Sequence, residues 1–204
     1  MLYSFLLVAG PWGRLREQDG TYHYMNNPTA ANPAESGPSQ LEKLLKGCAH
    51  SIDQCDYLLQ QISDESYVAS KDGASSIGSH MRHILDRFQC FFTGLGEGCV
   101  DYDARDRDQS IASNLEAARF AVASVSRRIQ EVQGSGDDAL MVRESVHHLS
   151  PEVVLESTVS RELMGLVTHT THHLALIGLI AQDLGYSLEG NFGKAASTIV
   201  YESS

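Results

Sequence analysis

The chain has 204 residues, 42% of them apolar and 20% charged, enough for one globular domain with a sizeable core plus a tail. Fifteen Lys and Arg stand against 26 Asp and Glu, a formal charge of −11. That balance excludes the electrostatic footprint of a sequence-independent nucleic-acid or anionic-membrane binder, and no uninterrupted apolar run approaches the ~18 residues of a spanning helix.

The apolar opening MLYSFLLVAG has no Lys or Arg before it and Pro11, Trp12 and Gly13 after it. It therefore does not read as a secretory signal. Residues 26–38 carry three of the five prolines and little that could pack, so residues 1–37 read as a flexible leader. A start at Met25 would leave residues 1–24 as upstream sequence outside the native chain.

Ser39-Gln40-Leu41-Glu42 is a capping box, and Leu41, Leu45, Cys48, Ile52, Cys55, Leu59 and Ile62 follow at alternating gaps of three and four, one stripe of a long helix. Ser75 or Ser76 caps a second helix with a stripe of Ile77, Met81, Ile84, Phe88, Phe91 and Leu95, ended by Gly94, Gly96 and Gly98. After the polar loop 101–109, Ile111, Leu115, Ala118, Val122, Val125, Ile129 and Val132 predict a third helix, stopped by Gly134-Ser135-Gly136. Residues 139–158 are β-branched and partly alternating about Ser150-Pro151, which predicts a short hairpin. A fourth helix runs from about Ser160 to Leu184, with Leu163, Leu166, Val167, Leu174, Ile177, Ala181 and Leu184 as its core face. Four amphipathic helices must bury their stripes on one another. The expected fold is an all-α four-helix bundle over residues 38–190, with the tail 191–204 free to fold back through Phe192 and Tyr201.

Cys48, Cys55, Cys90 and Cys99 form no C-x-x-C, and Cys48 and Cys55 lie on an apolar face. They read as core thiols of a protein in a reducing cytoplasm.

Five of the nine histidines fall in two clusters, His80 and His83 on the second helix and His169, His172 and His173 on the fourth. His169 and His173 are i and i+4, so they project from one face about 6 Å apart, the spacing by which one helix offers two imidazoles to a metal. His172 points away from both. On the second-helix wheel His80 lies nearer the apolar centre than His83, so the wheel alone chooses His80 as the inward residue.

The segment SIGSHMRHILDRF, followed some 80 residues later by SRELMGLVTHTTHHLALIG, resembles the DinB superfamily. The resemblance covers roughly residues 39–200. It implies a four-helix bundle that holds a divalent metal through one histidine of the second helix and the H-x-x-x-H pair of the last, here His83, His169 and His173. His80 then becomes a supporting residue or an alternative ligand. Relatives in that superfamily include thiol-dependent transferases and isomerases, and the DYDARDRD loop and FGKAAST tail are similar to a subgroup of unassigned function.

Three neutral imidazoles leave a metal its full +2 charge and an open position, the arrangement of catalytic rather than structural zinc. Such a site favours hydrolysis by metal-bound hydroxide or attack by a metal-bound low-molecular-weight thiolate on a small molecule. Imidazole suits zinc, nickel and iron alike. Asp86, one turn after His83, could orient an imidazole or simply pair with Arg82 or Arg87. Tyr102 and Arg105, in a loop with Asp101, Asp103, Asp106 and Arg107, are candidates to bind a charged substrate. No catalytic acid or base is assigned, and neither a nucleophile elbow nor a Walker loop is present. The alternative function is a non-catalytic metal-binding or stress-response bundle. A homodimer would suit so short a bundle, and coincidental histidines on a dimerisation module are the remaining reading.

Overall fold

The first long helix begins as its capping box requires: the Ser39 hydroxyl accepts from the Glu42 amide, and the Glu42 carboxylate accepts from the Ser39 amide. The structure is a computed structural model and describes residues 14–16, 22–24, 37–71 and 73–204. Within the unit Met1–Gly37, strands β1 (Arg14–Arg16) and β2 (Tyr22–Tyr24) pair antiparallel. The rest of the expected leader, and the start at Met25, lie outside the described residues.

The unit Pro38–Ser204 contains α1 (Gln40–Gln61), α2 (Asp64–Val68), α3 (Ile77–Glu97), β3 (Cys99–Asp101), α4 (Gln109–Ser113), α5 (Leu115–Glu131), β4 (Ala139–Glu144), β5 (Val153–Thr158), α6 (Val159–Asp183) and α7 (Ala196–Glu202). Four long helices share one core: α1 packs on α5 and α6, and α3 packs on the same two. The predicted stripes supply that core. Cys48, Ile52, Cys55 and Leu59 of α1, Met81, Ile84, Phe88 and Phe91 of α3, Ala118, Val122 and Ile129 of α5, and Leu163, Leu166, Leu174 and Ile177 of α6 are all buried. Leu184 is the exception, 40% exposed where α6 has already ended. By length and composition α6 could cross a bilayer; here Leu163, Leu166, Leu174 and Ile177 are buried, while Met164 and Leu179 are exposed.

The third helix is not continuous. Asn114 takes an extended conformation (φ −138°) and its side chain accepts from the Ala117 amide, ending α4 and capping α5. A cap in the middle of an apolar stripe leaves the periodicity intact, which is why spacing alone did not reveal it. Gly78 permits the approach of α4 to α3, because a Cβ there would strike the Ala112 carbonyl oxygen.

The expected hairpin is present, with β4 and β5 antiparallel from Ala139 opposite Thr158 to Glu144 opposite Val153. It acquires a third strand, β3, parallel to β4 with Cys99 opposite Met141. Gly98, at φ 74°, turns the chain out of α3 into that strand. Gly94 lets the strand return against the helix, since a Cβ there would lie 2.5 Å from Val100 Cα. The tail folds back at Phe192 and Gly193: the Phe192 ring centroid is 6.3 Å from that of Tyr57, and the Gly193 amide donates to Gln54 Oε1 at 2.7 Å. Beyond it, α7 is exposed.

Candidate metal centre

Helix α3 presents His83 and helix α6 presents His169 and His173, and one ligand atom from each lies within 4.8 Å of the other two. Their ring centroids are 4.5 to 4.8 Å apart. A metal–nitrogen bond is ~2.0–2.1 Å, so small side-chain rotations bring all three onto one ion. The site exists because α3 and α6 are packed neighbours and because i, i+4 residues share a helix face.

All three rings are held neutral. Burial, then the positive charge of Arg105 and Arg87, lowers the pKa of His83 to about 4. Burial and Arg87 take His169 to about 3. Burial, then His83 and His80, take His173 to about 4. A neutral imidazole is the ligating form. His169 Nε2 is buried with no hydrogen-bond partner among the described residues. An orphaned acceptor or donor of this kind calls for an explanation, and a metal ion at the three-histidine position would supply one.

His80 is one turn before His83 and outside the three-residue group, yet it touches it. Its Nδ1 is 3.0 Å from Nδ1 of His173. Two nitrogens at that distance share one proton. If His173 carries it, its Nε2 lone pair is free for a metal, and His80 fixes the ring by accepting. His172 is exposed, its ring 5.2 Å from that of His173.

Asp86 is buried and makes no hydrogen bond to any of these imidazoles; Arg82 Nε lies 3.8 Å from its carboxylate. Burial raises its pKa, opposed by Arg82 and Arg105. Tyr102 is only 2% exposed, its hydroxyl donates to Glu162 at 2.8 Å, and the Arg87 guanidinium lies 3.8 Å over its ring. Arg105 Nη1 is 3.1 Å from Nδ1 of His83. Thus the loop does bring Arg105 to the histidines, while Tyr102 braces α3 against α6.

Sequence spacing did not single out Arg87, Glu144, Arg161 or Glu162. Arg87 donates to Glu144 of β4 at 2.5 Å, and Glu162 accepts from both Tyr102 and Ser157. Arg87 is four residues after His83 and so on the same face of α3, the one signal that could have found it. His169 borders an open cleft of about 410 Å³, lined also by Arg87, Glu144, Arg161, Gly165, Thr168 and His172.

Of the cysteines, Cys48, Cys55 and Cys90 are buried and none of the four is bridged. Burial pushes the Cys48 and Cys55 thiols up to about 12. They are packing residues, as their helical spacing implied.

A model of the DinB family matches residues 25–191, most of the chain. Among curated proteins, FK506-binding protein 5 of Rhizopus delemar is 29% identical over 102 residues. The matched stretch covers 49% of this chain and 26% of that protein.

Proposed function

The chain belongs to the DinB family, and from that membership we propose that it is a divalent-metal-dependent enzyme acting on a small molecule, built on a four-helix bundle. One observation carries the reading: three uncharged histidines from two helices converge on one point, and one of them, His169, has a buried, partnerless Nε2 and borders an open cleft of about 410 Å³. His83, His169 and His173 would hold the ion, which could be zinc, nickel or iron. When bound it supplies a Lewis acid able to activate water, for hydrolysis, or a low-molecular-weight thiol, for thiol transfer.

The protein's own groups have definable parts in either reaction. His80, with its Nδ1 3.0 Å from Nδ1 of His173, would fix that ring by accepting its proton. Arg87 and Arg161 put positive charge into the wall of the cleft, and Arg87 is steered by its pair with Glu144. The buried thiols suit a reducing cytoplasm; small molecules, rather than nucleic acid or membrane, are the proposed partners, with homodimerisation allowed.

One observation favours the alternative, a non-catalytic metal-binding or stress-response protein. The nearby acids are engaged, Asp86 with Arg82, Glu144 with Arg87, and Glu162 with Tyr102 and Ser157, so none stands free as a general base. A metal analysis of tag-free protein decides the first step, with about one ion per chain expected. A screen of esters, amides and electrophiles, with and without low-molecular-weight thiols, decides the second. Turnover abolished in His173→Ala supports the enzyme. A silent screen, with a melting temperature that collapses on chelation, supports the alternative; absence of any bound metal removes both.

A further inference from the structure

We propose that Arg105 is a latch on His83 that a metal must open, and that the released guanidinium then binds an oxyanion group of the ligand. The inference rests on the metal-site reading and adds to it the charge of the substrate.

The argument begins with a donor and acceptor count. An arginine only donates hydrogen bonds. Arg105 Nη1 is 3.1 Å from Nδ1 of His83, so that nitrogen is the acceptor and bears no proton. The neutral ring then carries its proton on Nε2, which has no lone pair to give. The one lone pair His83 can offer a metal is the one Arg105 occupies. Should the ring instead ligate through Nε2, its proton moves to Nδ1, and two donors then face each other. In both cases a metal on His83 and Arg105 on His83 exclude one another. His173 is the opposite case: its outer neighbour His80 can accept, and so prepares the ring for a ligand role.

Charge gives the second half. Among the described residues, Arg87 pairs with Glu144 and Arg82 lies 3.8 Å from Asp86, but Arg105 has no carboxylate within ion-pair distance. Its Nε is buried and unpartnered. The loop that carries it is fixed, with the Asp101 carboxylate accepting from the amides of Asp103 and Ala104. A divalent ion on three neutral imidazoles, beside an unpaired guanidinium, makes a strongly positive spot in a chain of net charge −11. The chemistry that compensates both is an anion able to receive a guanidinium fork, a carboxylate or a phosphate-type group. Metal and oxyanion should therefore bind with positive linkage.

The test is the zinc affinity of wild-type protein and Arg105→Met, measured by competition with a chromophoric chelator calibrated in each buffer. Chloride buffer is compared with added acetate and with added methylphosphonate. Wild-type affinity should rise about tenfold with at least one of the two anions, and the effective one tells a carboxylate from a phosphate-type ligand. Arg105→Met should bind zinc more tightly than wild type in chloride and show no response to either anion. Zinc binding by wild type that ignores both anions, or an Arg105→Met protein that keeps the response or binds no tighter, overturns the proposal while leaving the metal site standing. Absence of zinc uptake by both proteins overturns the metal reading itself and this inference with it. Nitrogen-15 spectra of zinc-free wild type provide a check independent of the variant. His83 should be unprotonated at Nδ1 and protonated at Nε2; a proton found on Nδ1 refutes the latch.

Discussion

Replacing His83 and His80 separately by alanine separates a ligand from the residue that supports one. His83 shares the three-residue cluster with His169 and His173, whereas His80 reaches it only through the 3.0 Å contact with His173. Zinc binding to protein ligands is worth on the order of 10 kcal/mol at the low end of structural sites, so an equal share for each of three imidazoles is about 3 kcal/mol, roughly 200-fold in affinity. Loss of an outer hydrogen bond costs about 10–100-fold, and the lower figure suits a bond that only orients a ring. At a free zinc concentration about ten times the wild-type Kd, wild type should be about 90% loaded, His80→Ala about half and His83→Ala about 5%. Buffered-zinc dialysis followed by elemental analysis reads these occupancies, and circular dichroism verifies that both variants keep their helices. Zinc retained by His83→Ala and lost by His80→Ala would assign the α3 ligand to His80 and break the argument built on the three-residue cluster.

Tyr102→Phe removes a hydroxyl that donates to Glu162 at 2.8 Å but keeps the ring under Arg87; a bond to a charged acceptor is worth ~1.5–3 kcal/mol, so a drop in melting temperature of about 3–12 °C is expected by scanning calorimetry. An unchanged melting temperature would contradict the bracing role. Metal-free protein should lose stability on acidification, because His83, His169 and His173 have folded pKa values of about 4, 3 and 4, below the ordinary 6.5. The unfolded chain then takes up protons that the folded chain refuses, so this stability is whole above about pH 6.5 and drains as pH falls towards about 4. Urea midpoints from pH 7.5 to 4.5 measure it, and a smaller fall is expected in His169→Gln. Gly94→Ala should destabilise by about 1–3 kcal/mol in urea titrations, since its Cβ would stand 2.5 Å from Val100 Cα, a backbone atom of β3; a neutral result would mean that β3 is free to move away from α3.

The legible part of this molecule was its periodicity. The i, i+3, i+4 stripes of α1, α3, α5 and α6 are their buried faces, and the β-branched stretch 139–158 is a hairpin. The pair His169 and His173 was visible for the same reason, since spacing on one helix is a local property. The choice between His80 and His83 was not local. The wheel favoured His80, and the packing of α3 against α6 places His83 in the group, leaving His80 against the far nitrogen of His173. Strand β3 escaped notice because three residues cannot display alternation, and its partner in β4 is some forty residues away in sequence. Arg87 and Glu144 were invisible as a pair for that reason too: each reads alone as a surface charge, and their bond depends on where β4 lands.

The uneven exposure of the four thiols has a practical use. Cys48, Cys55 and Cys90 are enclosed, while Cys99, at the start of β3, is partly open. A maleimide dye should therefore attach first at that single position, marking the strand that leans on α3. Cys90 lies against the loop carbonyl of Ala104, whereas attachment at Cys48 or Cys55, both fully buried, would require the helices to part, so the rate of that later step is a clock for the opening of the helical core.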